Sequence, residues 1–248
     1  MPQSKKGNFL IVIPARYDST RFPGKPLAKI IDKTMIQMVW ETCVKASTKE
    51  NVVVATDDIR IIKHCQDIGM NYILTSKNCK TGTDRVIEVS KKTKYDFYIN
   101  VQGDEPLISE NDIKKAIVSF NVNKNYIINC MTKVVNVEEF KNINVPKVVI
   151  NKNNELLYVS RSPIPISKNN KFQKAYKQVC IYCYPREILL LPNIFNKKGR
   201  IETIEDIEII RFLELGYTIK MLELKKSTLA VDTPSDLRRV RKIVKNRR

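Results

Sequence analysis

Histidine is nearly missing from this chain: there is one, His64, among 248 residues. Histidine-assisted serine or cysteine hydrolases need an imidazole beside the nucleophile. His64 falls in an amphipathic stretch next to Lys63 and Gln66, and there it reads as a surface residue. Long hydrophobic runs are also lacking. None nears the roughly eighteen consecutive apolar residues of a membrane helix. The start, MPQSKKGN, leads only into FLIVIPA, too short for a secretory signal. A cytoplasmic protein without a membrane span is expected. The six cysteines (43, 65, 79, 130, 180 and 183) form no disulfide framework and read as free thiols. Cys180 and Cys183 do make a C-x-x-C, but within the extended run VCIYCY that spacing points them to opposite faces. No second such pair and no histidine pair completes a zinc site.

Charge is abundant, with 44 Lys and Arg against 26 Asp and Glu, a net +18. That balance raises nucleic-acid binding as a class of function. The cations are nevertheless spread from end to end, and the densest cluster, RRVRKIVKNRR (238–248), reads as the polar face of a last helix seated on Leu237, Val240 and Val244. Charge alone selects anions without choosing between RNA and a nucleotide.

Continuous apolar runs at 9–14, 52–56, 71–75 and 97–101 suit strands covered on both faces. Amphipathic helical patterns lie between them, at 36–44, 57–69, 84–91 and 112–120. This alternation predicts a mostly parallel, doubly wound α/β sheet, Rossmann-like, in one domain covering 1–248. From about 126 to 185 strand-like runs follow with few helices, a β-rich lobe. A helix over 202–215 closes at Gly216, TIKMLEL is a strand, and Thr233 caps the last helix with Pro234 after it.

Open parallel sheets bind ligands beyond their strands' carboxyl ends. Three distinctive stretches fall there. IPARYDSTRFPGKPL (13–27) gathers Arg16, Arg21 and Lys25, with Gly24 for close backbone approach and hydroxyls from Ser19 and Thr20. It suits an anionic ligand but lacks the Lys-Ser/Thr ending of a P-loop. QGDEP (102–106) and VDTP (231–234) each supply one carboxylate, Asp104 and Asp232. Taken singly each is more often a turn or cap residue. Set together beside a cationic loop, they make a hard-cation site for Mg²⁺ against phosphate oxygens.

IPARYDSTRFPGKPL, VATDD, TGTDR, NVQGDEP, SRSPIP and VDTPSDL occur in this order over nearly the whole chain. Together they resemble the CMP-Kdo synthetases, the 3-deoxy-manno-octulosonate cytidylyltransferases. The PAR-x-x-S-x-R-x-P-x-K element is shared with CMP-sialate synthetases, while RFPGKPL with NVQGDEP favours the Kdo branch. The resemblance implies a reaction of CTP with a 3-deoxy-2-ulosonic acid that gives the CMP-sugar and pyrophosphate, in service of bacterial surface polysaccharide. It implies that Ala15, Arg16, Ser19 and Lys25, with Thr81, Gly82, Thr83 and Arg85, hold the nucleotide. Lys25, Asp104 and Asp232 would be catalytic, the two aspartates holding Mg²⁺. Gln102, Arg161, Gln178, Tyr182 and Glu208 would meet the sugar, and the β-rich lobe would form a homodimer.

The chain departs from the family where H-x-G-I-Y-G-Y becomes QVCIYCY, placing Gln178 at the histidine, and where L-E-Q-L-R becomes IEIIR, placing Ile209 at the glutamine. Gln178, Cys180 and Tyr182 share one strand face, so one wall is altered. Either the acceptor is unchanged, or it is a modified or different ulosonic or sialic-type acid for which Ile209 removes a hydrogen bond. The remaining reading from another class is a basic nucleic-acid-binding protein on a retired enzyme fold. Intact Arg16, Lys25, Asp104 and Asp232 favour the enzyme, with CTP and an acidic sugar as its partners and no nucleic acid.

Overall fold

The structure, a computed structural model, describes residues 8–18, 21–192, 194–195, 197–225 and 229–247. The amino-terminal half alternates as the sequence predicts: β1 (Phe9–Ala15), a short hairpin of β2 (Lys29–Ile30) and β3 (Lys33–Thr34), α1 (Met35–Ala46), β4 (Val52–Thr56), α2 (Ile59–Asp67), β5 (Tyr72–Leu74), α3 (Gly82–Lys92), β6 (Phe97–Val101) and α4 (Glu110–Val122). The β-rich part follows with β7 (Ile127–Lys133), α5 (Val137–Lys141), β8 (Lys147–Ile150), β9 (Leu156–Ser160) and β10 (Tyr176–Pro185). The chain ends with α6 (Arg186–Leu189), α7 (Arg200–Glu205), α8 (Ile210–Glu214), β11 (Ile219–Glu223) and α9 (Pro234–Lys245).

Seven strands run across the sheet in the order β11-β7-β10-β6-β1-β4-β5, and β8 and β9 branch from β10. β11 with β7, β6 with β1, β1 with β4 and β4 with β5 pair in parallel. β10 runs antiparallel to both of its neighbours in that row. Side chains alternate between two cores, as the two-residue strand period requires. Ile11, Ile13, Val52, Val54, Phe97 and Ile99 face α1, α2 and α4. Leu10, Val12, Val53, Ala55 and Tyr98 face α3, α6 and α8. Each fully buried aliphatic side chain contributes about 1.5–3 kcal/mol to this sandwich. β5 is an exception to the expected double cover: Tyr72 and Leu74 lie exposed on the edge strand. Among the described residues no helix is long and apolar enough to cross a membrane.

The helix expected over 202–215 is two short helices. Asp206 adopts a left-handed conformation, φ 50°, after α7. The break lets Ile207 and Ile209 both turn into the second core. The same region carries a deeply buried ion group. Arg211 on α8, 2% exposed at its side chain, binds Asp84 at 2.7 Å, Glu202 at 2.8 Å and the Ile194 carbonyl at 2.9 Å. Asp84 is thereby fixed as the α3 capping residue, its other oxygen accepting from Lys80 N and Thr81 N. Removing one partner of a buried ion group strands the others without solvation. Arg211→Met is therefore expected to lower stability by about 3–5 kcal/mol, read as a fall in urea midpoint. A midpoint at the parent value would show that Asp84 and Glu202 do not depend on Arg211.

His64 is not the surface residue expected from its pattern. It is half-buried, and its Nε2 lies 2.8 Å from Thr34 Oγ1, which itself accepts from Gln37 N to cap α1. Burial lowers the imidazole pKa, with Asp67 opposing weakly. A hydroxyl that donates to Nε2 also requires that nitrogen to be unprotonated. The unfolded chain then binds the proton more readily than the folded one, so stability falls as pH drops through the ordinary imidazole value of about 6.5. With one histidine in the chain, the assignment is direct. Imidazole NMR titration should give a midpoint below that value, and His64→Gln should flatten the loss of stability between neutral and mildly acidic pH.

Candidate functional site

β1 and β6 are parallel neighbours, so their carboxyl ends lie side by side. From β1 the chain passes to β4 and β5 on one side, then returns to β6 on the other. That reversal opens a crevice at the strand ends. The loop after β1 delivers Lys25 and the turn after β6 delivers Asp104, and their Nζ and Oδ2 meet at 2.8 Å. Gly103 makes the approach possible, because a Cβ there would stand 3.0 Å from the Pro14 carbonyl. Gly24 serves the loop itself: it sits at φ 70°, and a Cβ would press on the Tyr17 ring at 3.1 Å. Tyr17 in turn lies under the Arg60 guanidinium, 3.3 Å from ring centre to carbon.

The third stretch reaches the crevice through one backbone bond, Val231 N to the Asp104 carbonyl at 2.9 Å. It places Asp232 Oδ1 3.5 Å from Lys25 Nζ and 3.2 Å from Arg21. Neither aspartate is spent on local structure. Thr233 and Asp236 form the α9 capping box, and the turn at Asp104 closes between backbone atoms, Glu105 N to Gln102 O. The two carboxylates thus converge on one point, each about a third exposed or less. Among the described residues no group of three or more His, Cys, Asp or Glu converges in this way. Two carboxylates facing open space suit Mg²⁺, which takes few protein ligands and completes its octahedron with water and phosphate oxygens.

The crevice widens into a cavity of 310 Å³. Ala15, Arg16, Lys25, Thr81, Gly82 and Arg85 line it together with Gln102, Arg161, Gln178, Tyr182 and Glu208. Most of the expected residues are therefore brought to one place. Ser19 lies outside the described residues. Two expectations are corrected. Thr83 is fully buried behind the wall, its N–H and hydroxyl both donating to Glu208. Ile209 is fully buried among apolar side chains of the second core, so the predicted loss of a sugar hydrogen bond there does not arise.

Other residues have firmer tasks than the sequence suggested. Arg85 donates to Thr75 at 2.6 Å and Asp57 at 2.8 Å, so much of its guanidinium is already engaged. Glu208 sits on the amino terminus of α3, accepting from Gly82 N at 3.0 Å and Thr83 N at 2.6 Å. Burial raises its pKa, against those bonds and Arg211. Gln178 donates to Asn129, whose amide in turn donates to the Val179 and Ile181 carbonyls at the bulge in β10. Gln178, Cys180 and Tyr182 do share the cavity wall, and burial holds the Tyr182 phenol and Cys180 thiol far from ionisation. The structure adds Arg21, Lys80, Lys198 and Asp206 to the lining. Arg21 carried a signal as the third cation of its loop. Lys198 and Asp206 carried none, since their 2.8 Å pair forms only through the helix break.

Comparison with known proteins agrees with this geometry. The cytidylyltransferase family matches residues 10–227. The 3-deoxy-manno-octulosonate cytidylyltransferase of Fusobacterium nucleatum is 42% identical over 241 residues, 96% of this chain and 97% of the relative. The Escherichia coli protein of that name is 36% identical, covering 95% of each chain. A solved CMP:2-keto-3-deoxy-manno-octonic acid synthetase, complexed with CTP, superposes with TM-score 0.90 at 35% identity, covering 97% of this chain and all of the other. HddC from Yersinia pseudotuberculosis shares the fold, with TM-score 0.70 at 16% identity, covering 96% of this chain and 99% of its own. With its family motifs gathered at the end of a parallel sheet, the chain belongs to the cytidylyltransferase family, among the 3-deoxy-manno-octulosonate cytidylyltransferases.

Proposed function

We propose that this enzyme transfers CMP from CTP to 3-deoxy-manno-octulosonate, or to a close relative of that ulosonic acid, and releases pyrophosphate. The observation that carries the reading is the Lys25 ammonium held between Asp104 and Asp232 at the mouth of a polar cavity. The anomeric oxygen gives up its proton to solvent and forms a bond to the α-phosphorus, and the bond to the pyrophosphate oxygen breaks with its electron pair. Lys25, Arg21 and Arg16 are set to receive the triphosphate charge. Asp104 and Asp232 would hold Mg²⁺, which when bound screens that charge and acidifies a nearby hydroxyl. Gln102, Arg161, Gln178 and Tyr182 orient the acceptor against it.

With Ile209 withdrawn into the core, Gln178 and Cys180 remain as the altered part of the acceptor wall, which supports the ordinary ulosonate over a different acid. Six free cysteines suit the reducing cytoplasm, and synthesis there would feed a surface polysaccharide. Exposed Val135, Ile143 and Leu157 on the β-rich lobe support a homodimer through that face.

Pyrophosphate release should require CTP, Mg²⁺ and the ulosonic acid together. Asp104→Asn and Asp232→Asn are each expected to slow turnover by about a hundredfold or more while leaving the fold intact. Near-parent rates in either variant at saturating Mg²⁺ would remove that aspartate from the metal site. Lys25→Ala should raise the KM for CTP, which a mere turn residue would leave alone. If sialic-type acids outperform 3-deoxy-manno-octulosonate in the same assay, the acceptor assignment fails. Light scattering should give about twice the chain mass of 28.7 kDa, and a stable monomer at micromolar concentration refutes the dimer.

A further inference from the structure

Two charged residues behind the acceptor wall are absent from the cavity lining, yet Arg161 and the loop beside it are fastened through them. Lys147 opens β8 and is fully buried. Its Nζ donates to the Arg161 carbonyl at 2.6 Å and to the Asn142 carbonyl at 2.9 Å. Burial, with the Arg161 charge adding to it, brings its pKa down to about 8. Glu205 ends α7, and its carboxylate accepts from Ser160 Oγ at 2.6 Å and Arg161 N at 2.9 Å. The Glu205 carbonyl takes Arg161 Nε at 2.5 Å, while Arg161 also donates to the carbonyls of Ile143 at 3.1 Å and Asp206 at 3.0 Å.

Three separate stretches meet here: the loop over 142–146, the end of β9, and the break after α7. They supply Asn144, Pro146, Arg161 and Asp206 to the cavity lining, whereas Lys147 and Glu205 supply nothing to it. A buried ammonium is costly to hold, and carbonyl partners only partly offset that cost. Its expense in this place is explained if the two carbonyls it joins must not drift apart.

We propose that Lys147 and Glu205 are positioning residues that hold Arg161 and the 142–146 loop as one rigid wall for the acceptor acid. The proposal rests on the reading above that this end of the cavity receives the ulosonate. The residues read as meeting the nucleotide, Arg16, Lys25 and Thr81, are not among the hydrogen-bond partners of Lys147 or Glu205, so the effect is expected on one substrate.

The test uses Lys147→Met and Glu205→Gln in the intact enzyme. Each should raise the KM for 3-deoxy-manno-octulosonate about tenfold and leave the KM for CTP within about twofold. Added to Arg161→Ala, Lys147→Met should change the acceptor KM little further, since both act through one group. An unchanged acceptor KM overturns the proposal, as does an equal rise in both KM values, which marks a general structural role. A second readout is independent of turnover. The Arg161 Nε–H, assigned by its loss in Arg161→Lys, should be slow to exchange in the parent protein and fast in Lys147→Met. Equal exchange in the two refutes the clamp. If exchange responds while no ulosonic acid supports pyrophosphate release, the clamp stands and the assignment of substrate falls.

Discussion

Two carboxylates directed at one point repel each other, and the site depends on how that repulsion is answered. Two unit charges 4 Å apart interact by about 4 kcal/mol at the effective dielectric typical near a protein surface. Asp104 and Asp232 can be held together only because a cation stands between them, and Lys25 reaches both. The arrangement follows from parallel strand pairing. β1 and β6 end at the same level, so the loop carrying the cation and the turn carrying the first anion are adjacent without either being long. The second anion is brought in by a single bond between Val231 and Asp104 backbones. The mouth of the cavity is thus built on a charge balance between the Lys25 ammonium and two carboxylates.

Deeper in the fold the same problem is solved differently. The amino terminus of α3 is a natural anion site, with free N–H groups and the positive end of the helix dipole. Here the protein fills it with its own carboxylate, Glu208. Those two amide hydrogens are thereby spent inside the protein. Behind Glu208, Arg211 pairs with both Asp84 and Glu202 and so fixes the start of α3 from beneath. Part of the wall around the cavity thus rests on Arg211, Asp84 and Glu202, which are absent from its lining.

Much of the α/β architecture was legible in the sequence, because apolar periodicity reports directly on which faces are covered. Phe9–Ala15, Val52–Thr56 and Phe97–Val101 are strands, and α1 to α4 fall where the helical spacing placed them. Lys25, Asp104 and Asp232 were legible for a related reason: charged residues straight after buried strands stand out against what precedes them. The errors share a cause as well. The 202–215 segment carried an unbroken helical pattern, and nothing local signalled that Asp206 would turn left-handed so that Ile207 and Ile209 could both reach the core. His64 sat on a polar helical face, and only the hairpin packed against it made it half-buried.

The sequence by itself determined the element order, the parallel half of the sheet and the identity of most of the residues that gather at the cavity. Those properties depend on residue type and spacing, which are local and written in the chain. Tertiary structure alone decided which of these residues face the cavity. Thr83 and Glu208, distant in sequence, bind each other, so that one is withdrawn and the other is tied to a helix end. Arg161 and Glu205 come together only when β9 and the end of α7 meet. Such pairings join segments far apart in sequence, and no pattern within either segment encodes the distance between them.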